Sequence, residues 1–93
     1  MKQFLFKNQT TDGDGPEVVL KDPGDKYIML SGDPDGGTVR IDIKTADGQW
    51  VPIEGGSFTE AIARLFRMIP ASSTIRANLN GAGGGADVTV EIA

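Results

Sequence analysis

The chain contains neither cysteine nor histidine. Without cysteine there is no disulfide to reinforce a small core, no thiolate metal ligand and no thiol nucleophile. Without histidine the commonest general base and the commonest transition-metal ligand are both missing, so Ser-His-Asp catalysis and ordinary zinc sites are ruled out. Long apolar runs are lacking too. The opening MKQFLFKNQT offers only Gln3 to Phe6 between two lysines, too short for a signal-peptide core, and nothing approaches the roughly 20 residues of a membrane span. A net charge of -4 weighs against a dedicated nucleic-acid binder, which needs a basic face to displace counterions from phosphate. The expectation is a protein made in a cytoplasm, with no membrane, nucleic acid or cofactor as partner. Glu17, Glu54, Glu60 and Glu91 are scattered over separate segments, with no pair set against each other as acid and base, so a non-enzymatic role is expected.

What is present is alternation. The 93 residues make one domain, 1–93, which buries only about 60–65% of its unfolded surface, so each large apolar side chain matters. Segment after segment alternates apolar and polar residues, with turn residues between, which is the pattern of an all-β sandwich. About seven strands are expected. The first runs Lys2 to Lys7, the second Glu17 to Leu20 and the third Lys26 to Ser31. In TVRIDIKT, Val39, Ile41 and Ile43 face one way and Arg40, Asp42 and Lys44 the other. Asp47-Gly48 suits a two-residue hairpin into a strand from Trp50 to Ile53, in which Pro52 suggests an edge or a bulge. The stretch 58–68 fits a short helix or a strand ending at Pro70; the strand, Ala63 to Ile69, agrees better with its neighbours. STIRANLNG and DVTVEIA close the chain as a hairpin joined by the glycine-rich loop NGAGGGAD.

The expected core is Tyr27, Ile28, Leu30, Val39, Ile41, Ile43, Trp50, Ile75, Leu79, Val88, Val90 and Ile92. A central Trp50 would cost about 3–5 kcal/mol on truncation to alanine. A displayed Trp50 or Tyr27 would instead stack on a sugar, which defines an alternative reading as a carbohydrate-binding module. Asp12/Asp14 and Asp33/Asp35 resemble the opening of calcium loops. Counting eleven residues on gives Pro23 or Lys44 rather than the closing glutamate, so they read as turn formers, and no metal is expected. The loop GAGGGAD lacks the lysine and the following helix of a phosphate-binding loop. Phe4, Leu5 and Phe6 put large apolar side chains on both faces of the first strand. Either one face looks outward to a partner or the strand lies between two layers. Arg40, Arg64, Arg67 and Arg76 are solvated, paired within the sheet, or offered to a partner's carboxylates.

Three stretches, TTDGDGPEVVL, GGTVRIDIKTADGQWVPIEGG and IPASSTIRANLNGAGGGADVTVEIA, carry a resemblance over nearly the whole chain. In them a strand, a short turn and a Trp-Val-Pro-hydrophobic step precede a proline-ended strand and a closing pair. The sequence resembles the small β-sandwich virion proteins of tailed bacteriophages that decorate or cement the capsid. Tail and fibre accessory modules are similar. FTEAIARLFRM is longer than the turn the family would place there. The resemblance implies an accessory structural protein on the capsid surface that binds the major capsid protein or another virion subunit. It also implies symmetric copies, with self-association as a trimer or dimer. Residues 1–11 would be a partner-binding arm or first strand, and Phe4, Leu5, Phe6, Arg64 and Arg67 would make the contacts.

Overall fold

The computed structural model describes residues 3–93, and for Met68 only the backbone. Lys2, the expected start of the first strand, lies outside the described residues. The fold is all-β, with two antiparallel sheets packed face to face. The strands are β1 (Gln3–Gln9), β2 (Gly13–Asp14), β3 (Val18–Leu20), β4 (Gly24–Asp33), β5 (Thr38–Lys44), β6 (Trp50–Phe58), β7 (Ile62–Ile69), β8 (Ser73–Asn80) and β9 (Asp87–Ile92). One sheet has the order β1-β9-β4-β7. The other has the order β2-β8-β5-β6, with β3 also pairing β8. The favoured strand reading of Ala63 to Ile69 holds as β7, and the element not foreseen is the short Gly13–Asp14 pairing.

Alternation places the core as expected in most strands. Ile28, Leu30, Val39, Ile41, Ile75, Leu79, Val88, Val90 and Ile92 are buried, and Ile43 packs half-buried against them. Two expectations are corrected. Tyr27 is 51% exposed, because β4 turns Ile28 and Leu30 inward and the period of two turns Tyr27 out. Trp50 is half-buried outside the core, since it pairs with Lys44 and shares the outer face of β5.

The first strand resolves its own ambiguity with a bulge. Phe4 pairs with Glu91 and Phe6 with Val90, so Leu5 is an extra residue opposite a single step of β9. The kink breaks the alternation, and consecutive Leu5 and Phe6 are both buried while Phe4 stays 43% exposed.

Three further expectations change. The β5–β6 turn has three residues, Ala46 to Gly48, rather than two. Thr45 N–H donates to the Gln49 carbonyl at 2.7 Å and Gly48 N–H to the Thr45 carbonyl at 3.0 Å, with only Gly48 (φ 88°) left-handed. β6 continues past Ile53 to Phe58, because Gly55 and Gly56 accommodate a wide bulge between the pairs Asp42–Pro52 and Arg40–Ser57. Pro52 lies on an edge strand as expected.

Finally, β8 and β9 are not a hairpin. β8 is already flanked by β5 and by β2 and β3, and β9 by β1 and β4, so each is interior to a different sheet and the glycine-rich loop crosses between layers. The helix alternative for 58–68 is gone as well. β7 pairs with β4 and brings Phe66 edge-to-face on Phe58, centroids 6.4 Å apart.

Candidate functional site

The outer face of the five-stranded sheet carries a set of mutually paired charges. β5 contributes Arg40, Asp42 and Lys44, β8 contributes Arg76 and Asn78, and β2 contributes Asp14. Arg40 grips the Asp42 carboxylate two residues along the same strand, Nε to Oδ1 at 2.7 Å and Nη2 to Oδ2 at 3.0 Å. That hydrogen-bonded carboxylate raises the Arg40 pKa further. Arg76 reaches Asp14 at 3.3 Å and lies 3.8 Å from Asp42, its Nε buried without a hydrogen bond. Asn78 donates to Asp14 at 2.8 Å, and Lys44 meets Glu17 at 3.5 Å. The Arg76 guanidinium sits 4.1 Å from the centroid of the Trp50 ring and the Lys44 ammonium 5.7 Å. Cations and carboxylates are thus matched within the sheet, and the indole lies beneath a guanidinium where a sugar would have to stack.

The turn aspartates are backbone acceptors. Asp12 takes Gly81 N–H at 3.0 Å and Ala82 N–H at 2.9 Å, and the Asp35 carboxylate takes Gly85 N–H at 2.8 Å. The glycine-rich loop is therefore fastened at both ends rather than a mobile tip. Asp33 accepts the Asp35 N–H at 2.8 Å, and Asp14 is held by Asn78 and Arg76. Among the described residues no group of three or more acidic side chains could hold a metal ion. A cleft of about 230 Å³ at one end of the sandwich is lined by Gln3, Lys21, Asp22 and Lys26 among others, and it contains no acid-base pair.

The outer face of the four-stranded sheet is different. Across it run Phe4, Glu91, Met29 and Ala63 as successive cross-strand partners, with Tyr27 opposite Leu65 in the next row. Phe4 and Tyr27 are largely exposed, Met29 and Leu65 half-buried, and Ile62 at the edge is 38% exposed. Lys7 lies 5.4 Å over the Phe4 ring, and Arg67 is exposed beside this face.

Of the contact residues selected from sequence, Phe4 and Arg67 are therefore at the surface. Leu5 and Phe6 are not, because the bulge drives both inward. Arg64 ties the layers together: it donates to the Gly55 carbonyl in β6 and covers the Phe58 ring at 5.1 Å. From sequence Tyr27 was assigned to the core, with display on a sugar as the alternative, and Met29 and Leu65 were not among the selected contacts. The signal was in KYIML, where burial of Ile28 and Leu30 requires Tyr27 and Met29 to face outward. No family model matches this chain, and no curated protein or solved structure matches it either.

Proposed function

We propose that the protein is a non-enzymatic docking module whose outer four-stranded face binds a larger protein assembly. The resemblance noted in the sequence suggests the assembly: the capsid of a tailed bacteriophage, with the major capsid protein as partner. One observation carries the reading. One outer face is saturated by its own ion pairs, while on the other Phe4 and Tyr27 are exposed and Met29 and Leu65 half-buried, with no further layer over them among the described residues. Apolar side chains gathered on a small domain's surface are a common mark of an interface. The molecule measures 36 × 25 × 19 Å, so a broad face is large enough for a standard interface of about 800 Å² per partner. Binding only the assembled lattice would stabilise it by mass action, and many symmetric copies multiply a modest energy per site.

The test is co-sedimentation with tailed-bacteriophage capsids assembled from purified major capsid protein. Wild type pellets with capsids, whereas Tyr27→Ser and Phe4→Ser remain in the supernatant with Tm unchanged, because both side chains lie outside the core. Failure of the wild type to pellet, or pelleting of both variants like wild type, overturns the proposal.

A further inference from the structure

A sandwich has exposed sheet edges, and natural edges usually carry features that prevent strand addition. In this fold β1 has two register shifts and a left-handed Asn8 (φ 53°). β6 has Pro52 and the wide bulge at Gly55-Gly56. β2 and β3 are two and three residues long, with Pro16 between them. β7 lacks these features over its first five residues. Ile62 to Phe66 pair one for one with Leu30 to Lys26, with neither proline nor glycine, and irregularity appears only beyond Phe66. Among the described main-chain hydrogen bonds none joins the outer edge of β7 to another strand. Ile62 is 38% exposed there, Ala63 is exposed and Leu65 is half-buried.

The same strand is the basic stretch of an acidic chain. No aspartate or glutamate occurs between Glu60 and Asp87, while Arg64, Arg67 and Arg76 fall in that interval and the whole chain has a charge of -4. Arg64 is committed to Gly55 and Phe58, which leaves Arg67 exposed on the strand. In a two-fold antiparallel pairing of Ile62–Phe66 with the same segment of a second copy, Arg67 would fall opposite Ala61, so neither strand would offer it a directly facing carboxylate.

We propose that the free edge of β7 accepts an extended, acidic segment of a partner protein as a fifth strand of the four-stranded sheet. Main-chain hydrogen bonds along Ile62–Phe66 would supply the affinity, and alternate side chains would supply the selectivity. On the outer face the incoming strand sets an apolar residue beside Leu65 and a carboxylate beside Arg67. The added strand thereby extends the row of Tyr27 and Leu65, so the inference rests on the docking role proposed above and names the chemistry of the partner.

The test uses the whole protein and a nine-residue threonine-rich peptide that carries, two residues apart on one face, a valine to lie beside Leu65 and a glutamate to lie beside Arg67, with two controls: lysine in place of glutamate, and the acidic peptide with a central proline. Amide hydrogen exchange and anisotropy of the labelled peptide are read. The acidic peptide should slow exchange of alternate amides in 62–66 and leave β1 and β6 unchanged. The lysine peptide should bind roughly tenfold more weakly and the proline peptide not at all. Arg67→Glu, at an exposed position, should reverse the charge preference without changing Tm. No β7 protection at millimolar acidic peptide, equal binding of both charge types, or protection that appears with rising protein concentration alone would overturn the proposal, the last by assigning the edge to a second copy. If β7 stays unprotected while Tyr27→Ser still abolishes co-sedimentation, the docking face stands and the strand-addition edge falls.

Discussion

Asp42 is 1% exposed on the outer side of β5, gripped by both arms of the Arg40 guanidinium, while the Nε of Arg76 lies 3.8 Å away without a hydrogen bond. Removing Arg40 leaves the buried carboxylate without its two hydrogen bonds, and removing Asp42 takes the nearby negative charge from Arg76, whose buried Nε already lacks a hydrogen bond. Arg40 is 45% exposed, so solvent screening keeps the cost below that of a fully buried pair. Arg40→Ala and Asp42→Ala are each expected to lose about 1–3 kcal/mol, and the double variant to lose clearly less than their combined effect. Urea unfolding of the four proteins measures the coupling. Strict additivity would mean that the fork contributes nothing. Arg40→Lys should fall between wild type and Arg40→Ala, since an ammonium cannot reproduce the bidentate contact.

The β5–β6 turn is predicted to be weakly acid-sensitive. The Thr45 hydroxyl donates to the Asp47 carboxylate and holds its pKa below the usual aspartate value, with backbone N–H groups of Asp47 and Gln49 helping and desolvation opposing. Because the folded pKa is depressed, the associated stability is present above the unfolded value and is lost as pH falls through the folded one. An NMR titration of the Asp47 carboxyl carbon should give a midpoint below the ordinary range, and Thr45→Val should move it upward. An unmoved midpoint would remove the hydroxyl as the cause.

Two adjacent glycines should respond unequally to alanine. A Cβ on Gly83 would come 2.9 Å from the Asp35 carbonyl oxygen and still closer to its carboxylate, in the very contact that fastens the loop. A Cβ on Gly84 meets nothing within 4 Å. Gly83→Ala is expected to cost about 1–3 kcal/mol through overpacking, and Gly84→Ala to stay within about 0.5 kcal/mol of wild type. Thermal melts of both variants decide it, and equal Tm values would show that the loop gives way freely.

Trp50→Ala should cost about 1–2 kcal/mol, well short of a core truncation, because what it loses is a half-exposed stack beneath Arg76 and Lys44. A loss above about 3 kcal/mol would place the indole in the core after all. Tryptophan emission should be partly red-shifted and should respond to Arg76→Ala.

Much of the architecture was legible along the chain. Alternation in TVRIDIKT set Val39 and Ile41 against Arg40 and Asp42, and Pro52 marked an edge. The residues of the outer four-stranded face were less legible. Phe4 was visible as an apolar excess, but the alternation of Phe4, Leu5 and Phe6 could not announce the bulge that buries two neighbours. Arg64 looked like a surface cation because its true partners, Gly55 and Phe58, lie on a strand of the other sheet.

By itself, the sequence determined that this is an all-β chain with polar turns and no histidine or cysteine chemistry, because side-chain period and residue inventory are local properties. Only the tertiary structure decided which strands are neighbours, that β8 and β9 belong to different layers, that Asp42 is roofed by arginine, and which outer face displays Phe4 and Tyr27. Those outcomes depend on contacts between segments far apart in the chain, and a single inserted residue in a strand reverses the face of everything beyond it.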